Sequence, residues 1–217
     1  MFKGVYVGKY AELQNKRTLI LGESHYDKNG DNNFSTYSVV ENFKNNPHEK
    51  KYIFFRKIAE SCGFQCINIS EFFDRFWDKV YFGNYVEDLC GIGDNKAKEL
   101  IKNNRQKYND NLFNFINENQ IDNVLVFGRL VFNNLPSLSN DKDKRAIESQ
   151  KDLNSKKIFV GKQNDWISHC RFLAHTSHNY TNIELTKDVD VYSMRHPSCQ
   201  RGFCSDNYCE YLKGLFE

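Results

Sequence analysis

The sequence predicts an α/β fold: a mostly parallel sheet with helices on both faces, layered as an α/β/α sandwich. Three observations carry this. Two short apolar runs, Leu19-Ile20-Leu21-Gly22 and Val124-Leu125-Val126-Phe127-Gly128, each end at a glycine and lead into a polar loop or a helix. Apolar runs of that length, without alternation, suit strands buried on both faces of a parallel sheet. Segments of helical spacing lie between the strand-like runs, as in alternating β and α units. No internal repeat or linker divides the 217 residues, so one domain spanning residues 1–217 is expected, long enough to bury a sizeable core.

The elements follow in order. Residues 17–22 read as a strand, and residues 23–33, rich in Asn, Asp and Gly, as a long loop. A short helix is expected over 36–43, broken by Asn46-Pro47-His48. Residues 51–62 place Ile53, Phe54, Ile58 and Ala59 at helical spacing and stop at Gly63, a natural residue for the turn after a helix. Residues 64–69 suggest a short strand, and 79–84 a better one closed by Asn84. Residues 94–119 read as helix in two pieces, 123–128 as a strand, and 129–135 as a helix closed by Pro136. The polar stretch 137–155 reads as a surface excursion. Residues 157–160 and 190–194 read as strands, and 205–216 as a C-terminal helix with Ser205 or Asp206 as its N-cap.

Composition narrows the classes. Hydrophobic residues make up 40% and aromatics 15%, which argues against disorder. No apolar run approaches the length of a membrane span, and Met1-Phe2-Lys3-Gly4-Val5-Tyr6 lacks the apolar block of a signal peptide, so a cytoplasmic protein without a membrane partner is expected. Seven cysteines, an odd number at irregular spacing, fit a reducing compartment better than a disulfide framework. A net charge of +2 neither requires nor excludes nucleic acid, so any such contact would come from a local patch.

In open α/β sheets, ligands bind outside the carboxyl ends of the strands. Three of those ends carry side chains fit for chemistry: Gly22-Glu23-Ser24-His25-Tyr26, then Asn84, then His196-Pro197-Ser198. An amide donates and accepts together, so Asn84 could read a pyrimidine edge. A neutral histidine can donate one hydrogen bond to a developing anion. A carboxylate or hydroxyl, Glu23 or Ser24, could hold a water. Each also has a plainer role: Glu23 and His25 as solvated loop residues, Asn84 as a turn or strand cap, His196-Pro197 as a rigid turn.

Taken together and in order, these segments resemble the uracil-DNA glycosylase superfamily. Its first motif is a strand followed by Gly-Gln-Asp-Pro-Tyr-His or shorter variants beginning Gly-Glu, set here against Gly22-Glu23-Ser24-His25-Tyr26. Its last is His-Pro-Ser, followed in one branch by a loop and Arg-Gly-Phe, set against His196-Pro197-Ser198, Cys199-Gln200 and Arg201-Gly202-Phe203. The resemblance spans residues 17–216 and implies that family's sandwich. It implies a base flipped out of DNA into a pocket at the carboxyl edge of the sheet, followed by hydrolysis of its N-glycosidic bond. His196 would stabilise the departing base, Asn84 would recognise it, Phe34 would stack on it, and Tyr26 would screen the ring edge. Gly22 and His25 would line the pocket, while Ser198, Gln200, Arg201 and Gly202 would contact DNA.

The chain also departs from that pattern. Ser24 stands where the most active branch has a water-activating aspartate, which leaves Glu23 as the nearest carboxylate. His25 replaces a proline. The loop after His-Pro-Ser is shorter and lacks a wedge leucine, so single-stranded or mismatched DNA is the expected partner. Asn68 competes with Asn84 for the pocket amide. No cysteine precedes Cys62 and no Cys-x-x-Cys pair occurs, so neither an iron–sulfur cluster, nor zinc, nor another cofactor is expected. Two other functions stay open: a non-catalytic binder of DNA or of a flipped nucleotide, and a hydrolase of free nucleosides or small glycosides.

Overall fold

The structure is a computed structural model that describes residues 2, 4–26, 36–65, 68–90, 96–138, 156–160, 165–198 and 203–216. Their strands are β1 (Tyr6–Val7), β2 (Thr18–Tyr26), β3 (Tyr81–Cys90), β4 (Asn123–Phe127), β5 (Ser137–Leu138), β6 (Lys156–Val160), β7 (Asp165–Phe172), β8 (His178–Asn179) and β9 (Val189–Met194). The helices are α1 (Thr36–Asn45), α2 (Ile53–Ser61), α3 (Ile69–Arg75), α4 (Lys96–Asn119), α5 (Arg129–Phe132) and α6 (Ser205–Leu212).

Among the described residues, seven strands form one mixed sheet in the order β1-β3-β2-β4-β9-β7-β6. The centre, β3-β2-β4-β9, is parallel throughout. The flanks β1, β7 and β6 join antiparallel, so the sheet is parallel only where the sequence signals were strongest. β4 shows why: all five of its residues are buried, as a strand covered on both faces requires.

Side chains alternate between two cores. Leu19, Leu21, Val124, Val126 and Val191 point to one face, where α4 contributes Tyr108, Leu112 and Phe113. Ile20, Phe82, Leu125, Phe127, Tyr192 and Met194 point to the other, against Val40, Phe43, Phe55, Ile58, Phe73, Tyr208 and Leu212 of α1, α2, α3 and α6. The second core is dense in aromatic pairs, such as Phe55 with Trp77 at 5.5 Å and Phe55 with Phe82 at 5.3 Å between ring centres.

Several local expectations hold. Gly63 follows α2 with φ +92°, a conformation that glycine adopts without a Cβ penalty. α4 consists of two pieces meeting at Asn104 (φ −127°), whose side-chain amide donates to the Leu100 carbonyl at 3.1 Å.

Others are corrected. Phe64, Gln65 and Asn68 are not in a strand, and Ile69 begins α3, whose Phe72 and Phe73 are buried in the aromatic core. A short apolar run does not distinguish a strand from one turn of buried helix, and tertiary packing decides. The long loop does not begin at Glu23, because β2 continues to Tyr26 beside β3. Nor does β3 end at Asn84; it runs on to Cys90. Helix α5 is a single turn, not the span 129–135. The N-cap of α6 is Cys204 rather than Ser205 or Asp206, and the Ser205 hydroxyl instead hydrogen-bonds the Glu60 carboxylate at 3.3 Å. No described helix is long and apolar enough to cross a membrane.

Candidate functional site

The chain leaves β2 to form β3 on one side, then returns past β2 to form β4 on the other. The carboxyl ends of the parallel strands near that reversal are where such sheets bind ligands. A cavity of about 540 Å³ lies there, within the range of small-molecule sites.

Each parallel strand brings a residue to this region. β2 supplies Glu23 and Ser24, β3 supplies Phe82 and Asn84, and the turn after β9 supplies His196 and Ser198. β4 supplies Gly128, at φ +138°, the residue before α5. A Cβ on Gly128 would sit 3.8 Å from His196 Cδ2 and 3.9 Å from Glu23 Oε2, so three strand ends meet around a residue with no side chain. The opposite wall is apolar, from Val39 of α1 and Phe54 and Phe55 of α2, with Lys51 beside them.

Asn84 is buried and has the same strand parity as Phe82, so its amide points into the cavity side of the sheet. It is paired in register with Gly22, and a Cβ on Gly22 would run into the Asn84 amide oxygen. The glycine of the first motif is therefore the space that the amide occupies.

His196 is held from three directions. Its Nδ1 receives the Ser198 backbone N–H at 3.2 Å and lies 2.6 Å from the Ser198 hydroxyl. An Nδ1 that accepts a backbone N–H carries a lone pair, so the neutral ring bears its proton on Nε2. Phe54 packs on the ring at 5.1 Å between centres, tilted by 30°. Lys57 donates to the Pro197 carbonyl at 3.1 Å and ties the turn to α2. Burial lowers the His196 pKa from the usual 6.5, and the Glu23 carboxylate partly opposes that shift. A neutral ring with one outward N–H is a hydrogen-bond donor rather than a cation.

Ser24 Oγ is buried, with the Cys90 thiol of the neighbouring strand β3 beside it. The Glu23 carboxylate lies beside Gly128 and favours the protonated form of His196.

Of the residues singled out in the sequence, the fold brings Gly22, Glu23, Ser24, Asn84, His196 and Ser198 together. Asn68 is elsewhere, exposed, beside a small cavity formed with Phe64, Glu71 and Arg75. The backbones of His25 and Tyr26 complete β2, but their side chains lie outside the described residues, as do Phe34, Gln200, Arg201 and Gly202 altogether. Lys51, Phe54, Phe55, Phe82 and Val39 were not legible as site residues. The only sequence signal of Val39, Phe54, Phe55 and Phe82 was the apolar face of a helix or a strand, which ordinarily means core, and Lys51 carried none.

No model of a known protein family matches this chain, and no curated protein matches its sequence. The chemistry of the cavity is therefore the ground on which its function rests.

Proposed function

We propose that this protein is a DNA glycosylase-like enzyme of the uracil-DNA glycosylase type, acting on uracil or another altered base flipped from DNA. The observation that carries the proposal is the meeting of three groups from distant chain segments in one cavity: a buried amide at Asn84, a carboxylate at Glu23 and a neutral-tautomer imidazole at His196. In this reading the base lies against Phe54, Phe55 and Phe82, and the Asn84 amide reads its hydrogen-bonding edge. Water oxygen bonds to the sugar C1′ as the C1′–N bond breaks. The bonding pair leaves with the base, which takes up a proton equivalent to the one that the attacking water releases. The sugar passes through an oxocarbenium-like state, as in glycoside hydrolysis. His196 donates its Nε2–H to the charge growing on the departing base, and Glu23 orients the water and faces the cationic sugar. Lys51 at the rim pairs with the Glu49 carboxylate at 2.9 Å, a pair that a phosphate of the flipped nucleotide would have to displace. No metal or cofactor enters this scheme.

The buried hydroxyl at Ser24 favours a second reading, a non-catalytic binder, because no carboxylate stands at that position. A panel of oligonucleotides, each carrying one altered base, separates the two by strand breakage at abasic sites. Base release that is lost in Asn84→Ala supports the enzyme. Salt-dependent binding of every oligonucleotide without release of any base selects the binder. Release from free nucleosides alone moves the protein to small glycosides.

A further inference from the structure

A second cavity opens at the other end of the sheet. It has a volume of about 620 Å³ and touches Thr18, the first residue of β2. The proposed active site lies at Glu23, five residues further along the same strand, or roughly 16 Å away at strand rise. The two cavities share no lining residue.

The charge around the second cavity is one-sided. Lys16, Arg75, Lys79 and Lys213 line it, and no carboxylate does so among the described residues. Arg75 is offset by Glu71 at 3.1 Å, on the exposed flank of α3. Lys16, Lys79 and Lys213 form no ion pair among the described residues. A chain whose net charge is only +2 thus gathers three unneutralised lysines and an arginine around one hollow. Like charges so placed repel one another, and a concave low-dielectric wall focuses their field outward. An anion relieves both effects.

The remaining wall is aromatic. Phe64 and Phe216 are each half-buried, so part of each ring faces the cavity. They meet edge to face at 5.8 Å, Phe76 backs them at 5.1 and 5.4 Å, and the Arg75 guanidinium stands over the Phe64 ring at 6.0 Å. Cations beside a braced aromatic surface suit a ligand with both phosphate and a flat ring.

We propose that this hollow binds a nucleotide unit, phosphate on the lysines and ring on Phe64 and Phe216, at a site separate from the carboxyl-end cavity. The same chemistry is present in a free nucleotide and in a residue of single-stranded nucleic acid. Calorimetric titration of the full chain with ATP, with octathymidylate and with inorganic tripolyphosphate distinguishes them. Lys16→Glu and Lys213→Glu, both at exposed positions, are compared with the wild type after circular dichroism verifies their fold. The expected result is saturable ATP binding at one site per chain, weakened about tenfold or more in each lysine variant. Phe216→Ala should weaken ATP but not tripolyphosphate, and Asn84→Ala should change neither. If octathymidylate alone binds with the same dependence on Lys16 and Lys213, the unit is part of a strand. The proposal is overturned if neither ATP nor octathymidylate saturates, if the lysine variants bind as the wild type does, if tripolyphosphate binds as tightly as ATP, or if Asn84→Ala removes the binding.

Discussion

Gly22 and Asn84 face each other across β2 and β3, and the amide oxygen of Asn84 fills the space where a side chain on Gly22 would stand. The two positions are one structural unit. Gly22→Ala alone should destabilise the fold by about 1–3 kcal/mol, because the added methyl overpacks a buried contact. It should also push the amide out of the cavity. Asn84→Ala in the same chain should recover most of the stability but none of the ligand recognition. A double-mutant cycle by urea denaturation measures the coupling, expected at about 0.5–3 kcal/mol. Additive losses would mean that the amide can move aside freely.

Removing the His196 imidazole should cost the chemical step about 2.7–4 kcal/mol, by analogy with the loss of one oxyanion donor. Binding of abasic-site DNA by His196→Ala should change far less. Single-turnover cleavage and a product-binding titration on the same variant provide the two numbers. Equal losses in both would make His196 a docking residue.

The pH dependence follows from burial. Burial holds the His196 pKa below the usual 6.5, and Glu23 pulls it partly back. The reactive neutral form therefore dominates at neutral pH, and the acid limb of kcat/KM should fall below pH 6.5. Glu23→Gln removes the carboxylate that favours the imidazolium, so any remaining activity should show that limb at lower pH. As pH falls through 6.5, the unfolded histidine takes a proton that the folded one refuses, so this residue's contribution to stability declines between that value and its folded pKa. An NMR titration of the His196 ring in wild type and Glu23→Gln measures the shift. A rise in pKa on losing Glu23 would contradict the assigned electrostatics.

Strand preference is a separate matter. Without a wedge leucine after His196-Pro197-Ser198, holding a base out of a duplex costs a few kcal/mol with little to offset it. Cleavage should therefore favour single-stranded or mismatched substrates. Arg201→Ala should weaken all sequences about equally and flatten the salt dependence. Gln200→Leu should raise activity on paired DNA. A wild type that prefers matched duplex, with both variants silent, would remove this loop from the mechanism.

The parts of this architecture that the sequence made legible are those where one physical cause dominates. β2 and β4 are buried on both faces, so their apolar runs were unambiguous, and Gly63 ends α2 because a positive φ leaves few alternatives. α3 was not foreseen because Phe72 and Phe73 reach the aromatic core only through tertiary packing, which no short window contains. Strand β7 gave no signal that separated it from its surroundings, and its pairing with β9 is antiparallel and distant in sequence. At the site, polar residues stood out because chemistry needs particular atoms. Its apolar wall, Phe54 and Phe55, was indistinguishable from core, since α2 uses one face for both.

The position of β9 has a consequence for synthesis. β9 enters the sheet between β4 and β7, and His196 follows it by two residues. A nascent chain that has emerged only through β4 already holds Glu23 and Asn84, but it has neither the imidazole nor the neighbour that completes the parallel centre. Contacts of such long sequence separation form late, because the intervening loop must first be closed. The cavity's full set of polar groups and the finished sheet therefore come into being in one event.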